Sequence, residues 1–219
     1  MSWFYSIGRF IVRLLLFLLI RWQVRGRENV PDQGAILVVA NHLSVFDPPL
    51  LGAGLGRRVV FMAKEELFHP RFQGYFIRSL GAFPVRRGGR DRKALSQAGR
   101  VLADGLALVM FPEGRRSKNA QLQPAFAGSA LIALRSGVPV IPVGITGTER
   151  IKGVAWWLRR PRVIVNVGCP FYLPSAGSSP VTKVELTRLA DYMMGRVAEL
   201  LPQQYWGSYT REKSDGVEN

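Results

Sequence analysis

Two patterns of apolar and polar positions alternate along the chain. Short, continuous β-rich runs at Ala35–Ala40, Val59–Met62, Ala82–Val85, Leu106–Phe111, Val138–Val143 and Arg162–Val167 predict strands. Between them, segments with helical spacing and glycine, proline or charged boundaries predict helices at Pro49–Leu55, Pro70–Ser79, Lys93–Ala103 and Phe126–Ser136. A last helix is expected from near Val181, opened by a Thr182-x-x-Glu185 capping box, with Val184, Leu189, Met193, Val197 and Leu200 near one packing face. Strands alternating with helices predict an α/β fold, a mostly parallel central sheet flanked by helices. Pro174–Pro180 reads as a connecting loop, and 207–219 as a polar, flexible tail after an α/β domain spanning 25–206.

The first 24 residues break this alternation. Trp3, Phe4, Tyr5, Ile7, Phe10 and the run Leu14–Ile20 form an apolar segment that ends at Arg21. Crossing a bilayer takes about 20 predominantly apolar residues, and Arg9 and Arg13 interrupt this stretch. A secretory signal would need a small-residue cleavage site, whereas the run continues into Arg21-Trp22-Gln23-Val24. The expectation is an uncleaved helix over 1–24 that anchors the chain at a membrane interface on the cytoplasmic face; a buried core helix is the alternative.

Composition sharpens this picture in two respects. The formal net charge of +15 favours anionic partners, whether nucleic acid, anionic lipid or phosphorylated substrates. No zinc-finger, basic-zipper or RNA-recognition signature is present and the arginines are scattered, so nucleic acid is not an expected partner, and anionic membrane lipid is. Cys169 is the sole cysteine, which excludes an internal disulfide and a Cys/His zinc site of the usual kind; no metal is expected.

The chemistry concentrates where strands end. Asn41-His42-Leu43-Ser44-Val45-Phe46-Asp47 follows directly on the strand at Ala35–Ala40, which puts a histidine at a strand's C-terminal end, where ligands gather in open α/β sheets. Five residues on, Asp47 can return across a tight turn to orient the imidazole, leaving His42 to accept a proton from an attacking hydroxyl. These are the base and orienter of a triad, with a substrate hydroxyl in place of a protein nucleophile. Cys169 has no histidine near it in sequence and is assigned a structural role. In the same way, Leu106–Phe111 runs into Pro112-Glu113-Gly114-Arg115-Arg116-Ser117-Lys118, where Gly114 permits close backbone approach, Arg116 offers a fork for phosphate oxygens, and Glu113 can fix that arginine or a substrate hydroxyl. Gly81–Arg87 closes a third apolar run with arginines.

Taken together these segments resemble the glycerolipid acyltransferase family with the H-x4-D motif, whose best-known bacterial members make phosphatidate from lysophosphatidate. Four blocks match in order: His42 to Asp47, Gly81 to Arg87, Phe111-Pro112-Glu113-Gly114 with Arg116-Ser117, and Val138-Pro139-Val140-Ile141-Pro142-Val143. The resemblance covers roughly Asn29 to Gly168. It implies His42 as general base, Asp47 as its partner, and Arg87, Glu113, Gly114 and Arg116 around the acceptor phosphate. It also implies acyl-CoA or acyl carrier protein as donor, a lysophosphatidate-type acceptor, and no cofactor. Other lysophospholipids, glycerol 3-phosphate or a glycolipid are alternative acceptors, and a non-catalytic, membrane-tethered binding module is the reading from another class. The chain departs from the family pattern at Arg115, where a threonine is usual, at Pro84 and Arg86, and at Phe126-Ala127-Gly128, where a lysine is often found. All lie near the expected head-group site, and the added arginine suits a more anionic acceptor or an anionic membrane.

Overall fold

The computed structural model describes residues 3–79, 81–86, 91–153, 155–174 and 181–209. Helix α1 (Trp3–Leu19) leads into strand β1 (Arg21–Arg25). There follow β2 (Ile36–Ala40), α2 (Asp47–Gly54), β3 (Val59–Lys64), α3 (Arg71–Ser79), β4 (Ala82–Val85), α4 (Arg92–Ala103) and β5 (Ala107–Met110). The remainder is α5 (Gly128–Ser136), β6 (Val140–Thr146), α6 (Trp156–Arg159), β7 (Arg162–Val167) and α7 (Lys183–Ala198). The seven strands form one sheet in the order β1-β7-β6-β2-β5-β3-β4. The five strands β2 to β6 run parallel, as expected, while β7 pairs antiparallel with β6 and β1 parallel with β7.

Strand β2 shows why the sheet is covered on both faces. All five of its residues are buried. Leu37 and Val39 face a core shared with Val101 and Leu102 of α4, Ala130 and Ala133 of α5, and Met193 and Val197 of α7. Ile36, Val38 and Ala40 face the opposite core, shared with Leu16 of α1 and Leu50 and Leu51 of α2. Period-2 alternation thus feeds two hydrophobic layers, which is the arrangement that parallel strands require.

Local signals set the helix ends. The Asp91 side chain accepts the Ala94 N–H at 3.0 Å and caps α4. The capping box of α7 is present, with Glu185 N donating to Thr182 Oγ1 at 3.2 Å and Thr182 N to the Glu185 carboxylate at 2.7 Å. Val184, expected on the packing face of this helix, points outward and is 78% exposed.

Two boundaries differ from expectation. The N-terminal helix stops at Leu19 rather than continuing to residue 24, because Arg21–Arg25 alternates outward and inward and pairs with Arg162–Asn166. Trp22 and Val24 are the inward residues, packed on the core that holds α1. The chain also stays packed beyond residue 206: the Tyr209 hydroxyl donates to Asp191 at 2.8 Å and accepts the Ala125 N–H at 3.1 Å. The rest of the expected tail, 210–219, lies outside the described residues, as does the loop at 175–180.

Candidate active site

Strand direction assembles the site. The C-terminal ends of β2, β5 and β6 lie side by side, so the turns after Ala40, Met110 and Thr146 meet at one edge of the sheet. Asn41 locks the first of these turns to β6, accepting the Ile145 N–H at 2.7 Å and donating to the Ile145 carbonyl at 2.9 Å.

Asp47, the first residue of α2, is fully buried and accepts four hydrogen bonds. One oxygen, Oδ2, takes the N–H groups of Leu43 and Ser44, each at 2.7 Å, and His42 Nδ1 at 2.8 Å. The other, Oδ1, takes the Thr148 hydroxyl at 2.7 Å. An ionised carboxylate only accepts, so Nδ1 carries the ring hydrogen and Nε2 is left with the lone pair. The His42 ring is stacked on Phe111, centroids 4.2 Å apart and planes at 20°, which sets its plane. The five-residue spacing therefore closes as a tight turn around one carboxylate.

The backbone of His42 is held with equal care by the loop after β5. Its N–H donates to Glu113 Oε1 at 2.8 Å, and its carbonyl accepts the Ser117 N–H at 2.8 Å. The second Glu113 oxygen accepts the Gln123 N–H at 3.0 Å. Expected as a substrate-binding side chain or a clamp on Arg116, Glu113 is instead 1% exposed and ties two backbone segments together. Gly114 departs similarly: its φ is +63° and a Cβ there would meet the Phe126 ring at 2.6 Å, so the close approach it permits is by Phe126. Arg115 and Arg116 are exposed beside these turns. Arg86 is engaged elsewhere, donating to Glu65 from Nε at 2.6 Å. Arg87 lies outside the described residues.

Thr148 was not legible in the sequence. It sits 101 residues from Asp47, and nothing in its local context marks it. Gly147, at φ +89°, turns the chain where any Cβ would strike the Arg162 carbonyl, and this brings Thr148 under Asp47. Valine at 148 leaves Asp47 Oδ1 without a partner and should lower turnover about tenfold, whereas serine should restore it. Steady-state kinetics of the two variants, with thermal midpoints beside them, check this.

Burial pushes the Glu113 carboxyl up to about 7, against the two backbone donors that favour its ionised form. Between about pH 4.5, where the unfolded chain loses this proton, and about 7, the folded protein holds a proton that the unfolded chain lacks. The contribution is therefore full below about 4.5 and is lost as pH rises through about 7. Urea midpoints taken between about pH 5 and 8 should show this decline. Glu113→Gln should flatten it, while lowering stability throughout by about 1–3 kcal/mol because its amide group cannot accept one of the two N–H groups.

Cys169 follows the C-terminal end of β7, which runs opposite to β6, so it sits at the far edge of the sheet from His42. Among the described residues no group of three or more His, Cys, Asp or Glu could hold a metal ion. The arrangement can orient an imidazole as a base toward a bound hydroxyl, with no protein nucleophile supplied by Cys169.

Comparison with known proteins identifies the family and the fold. The acyltransferase family model matches residues 21–146, more than half of the chain. The chain is similar to a 1-acyl-sn-glycerol-3-phosphate acyltransferase of Streptococcus pneumoniae, 35% identical over 176 residues, covering 76% of this chain and 62% of that protein. It is also similar to the protein of the same name in Bacillus subtilis, 25% identical over 179 residues, with 81% of this chain and 87% of the relative covered. The chain thus spans less than two thirds of the pneumococcal protein and most of the Bacillus one. Among solved structures, the 1-acyl-sn-glycerophosphate acyltransferase PlsC from Thermotoga maritima superposes with a TM-score of 0.69 at 30% identity, covering 90% of this chain and 79% of that one. With a buried His–Asp pair on a mostly parallel sheet and a family model that spans the turns carrying His42, Asp47 and Glu113, this chain belongs to the acyltransferase family.

Proposed function

We propose that this protein is a membrane-associated O-acyltransferase that moves a fatty acyl group from acyl-CoA or acyl carrier protein to the free hydroxyl of 1-acylglycerol 3-phosphate, giving phosphatidate. The observation that carries the reading is the 2.8 Å bond from His42 Nδ1 to a buried Asp47, which supports Nε2 as the nitrogen that accepts a substrate proton. The relatives' names supply the acceptor class.

In this scheme both substrates are bound together. The acceptor hydroxyl attacks the thioester carbonyl while His42 Nε2 takes its proton, and the imidazolium is stabilised by Asp47. Collapse of the tetrahedral intermediate expels the thiolate, which recovers the proton from His42. Arg116 and Arg87 are assigned to the acceptor phosphate, while Glu113 and Gly114 act by shaping the loop that holds His42. Attachment is peripheral or monotopic, on the cytoplasmic face of the cell membrane. Among the described residues no helix is long and apolar enough to cross a membrane. The exposed pair Arg115 and Arg116 supports an anionic acceptor without fixing which, so the second reading is the same chemistry on another lysophospholipid, on glycerol 3-phosphate or on a glycolipid.

The test is to incubate the detergent-purified protein with long-chain acyl-CoA or acyl carrier protein and lysophosphatidate, following free thiol and phosphatidate. Formation of phosphatidate by sequential kinetics supports the scheme. Ping-pong kinetics with a trapped acyl-enzyme sinks it, and no product with either donor sinks the acceptor assignment.

A further inference from the structure

Strand β1 directly follows α1, and β7 directly follows α6. Because β1 and β7 pair in parallel, with Arg21 opposite Arg162 and Arg21 N donating to the Pro161 carbonyl at 3.0 Å, the two helices finish side by side although they are far apart in sequence. Arg160 joins them, donating to the Phe17 carbonyl at 2.7 Å. Both strands run against β2 to β6, so their beginnings lie at the edge where the parallel strands end. That is the edge holding His42.

Both helices show apolar side chains to the outside at this edge. Phe17 and Leu18 in the last turn of α1 are 66% and 56% exposed, and Trp157 and Leu158 of α6 are 48% and 66% exposed. Val45, inside the catalytic turn itself, is 60% exposed. The neighbouring residue in each case faces inward: Trp156 meets Phe46 edge-on at 5.4 Å, so α6 rests directly on the turn between His42 and Asp47. The charge pattern matches one occupant. No acidic residue occurs from Met1 to Arg27 or from Ile151 to Val184, while Arg9, Arg13, Arg159, Arg160 and Arg162 do. Aromatic and aliphatic tips backed by arginines fit the interface of an anionic bilayer.

We propose that α6 is a second membrane-inserting element which, beside α1, seats the catalytic edge on an anionic phospholipid surface and so presents His42 to an acceptor still embedded in the bilayer. This rests on the membrane-associated reading above. Its role is orientation: α1 supplies most of the apolar area for attachment, and α6 sets which edge faces the lipid.

The test compares the parent with a Trp157→Ser, Leu158→Ser double variant, leaving Trp156 intact. Sedimentation with phosphatidylcholine vesicles containing about a quarter phosphatidylglycerol reads attachment. Acyl transfer is then measured on a short-chain lysophosphatidate that stays monomeric, and on a long-chain one held in the same vesicles. The double variant should match the parent within about twofold on the monomeric acceptor and lose about tenfold or more on the vesicle-held one, with several-fold weaker sedimentation. Arg159→Gln should weaken sedimentation only on the anionic vesicles. Equal activity and equal sedimentation of parent and double variant on vesicles would overturn the proposal. So would a parent dimer in solution that the double variant dissolves, since a second copy would then be the occupant. If the double variant melts below the parent, Leu158→Ser alone is used. A parent inactive on both forms of acceptor would count against the proposed function, and the sedimentation arm would still judge α6.

Discussion

Replacing His42 by alanine should lower turnover at least about a thousandfold, with the fold intact. In the proposed mechanism the loss is large because the base nitrogen and the means of returning the proton to the leaving thiolate reside in one ring. The fold should survive because the neighbouring contacts do not depend on that ring. The His42 N–H and carbonyl are main-chain groups, held by Glu113 and Ser117, and remain in alanine. Asp47 loses one of its four donors and keeps Leu43, Ser44 and Thr148. Phe111 loses its stacking partner, a modest cost in stability of about 1 kcal/mol. Turnover under saturating donor and acceptor, with thermal midpoints of both proteins, checks this, and a fully active alanine variant would remove His42 from the mechanism.

Asp47→Asn should be nearly as damaging to catalysis, lowering turnover by about a hundred- to ten-thousandfold. Three of the four donors converge on Oδ2, so the asparagine carbonyl must occupy that position and the amide must face Thr148. A threonine hydroxyl can rotate to accept from that amide, so each of the four contacts made by Asp47 keeps a hydrogen-bonded counterpart. What asparagine cannot supply is the negative charge that, in the proposed mechanism, stabilises the imidazolium as the hydroxyl proton arrives. The expected signature is a fall in turnover with KM for both substrates little changed. Asp47→Ala is a different experiment, because it strips acceptors from two buried backbone N–H groups and should also lower stability by several kcal/mol. A drop in turnover for asparagine equal to its drop in thermal stability would mean that Asp47 acts structurally, not electrostatically.

The apolar edge formed by α1 and α6 bears on both experiments. On the proposed reading, activities in detergent measure the His–Asp chemistry alone, whereas vesicle-held acceptor adds the step of reaching the lipid. Comparing the His42 and Asp47 variants on both forms of acceptor should show the same fractional loss on each, because neither residue belongs to the exposed surface.

Much of this molecule was legible in the chain itself. Short β-rich runs marked six of the seven strands, most plainly β2, β5 and β6, since a parallel strand buried on both faces has no polar side to disguise it. The His42 to Asp47 pairing was legible for a related reason: of the four hydrogen bonds to the Asp47 carboxylate, all but the one from Thr148 are local, and the spacing itself sets whether the carboxylate can return to the imidazole. The α7 cap was likewise a local signature. Strand β1 escaped because its five residues alternate Arg-Trp-Gln-Val-Arg directly after an apolar helix, and the partner that makes it a strand, β7, lies far along the chain.

What the tertiary structure alone decided were the contacts between turns. Glu113 looked like a ligand for Arg116 while only its sequence neighbours were known; strand order put the His42 N–H and the Gln123 N–H within its reach, and a buried carboxylate goes to the donors that are there. Gly114 answers to Phe126, and Thr148 answers to Asp47 across 101 residues. The pairing of α1 with α6 at the catalytic edge follows from two strands running against the other five. Local pattern determines which segments become strands and which turns carry chemistry, because burial and hydrogen bonding within a few residues suffice for that. Which turns face one another depends on strand order and direction, set by packing over the whole sheet.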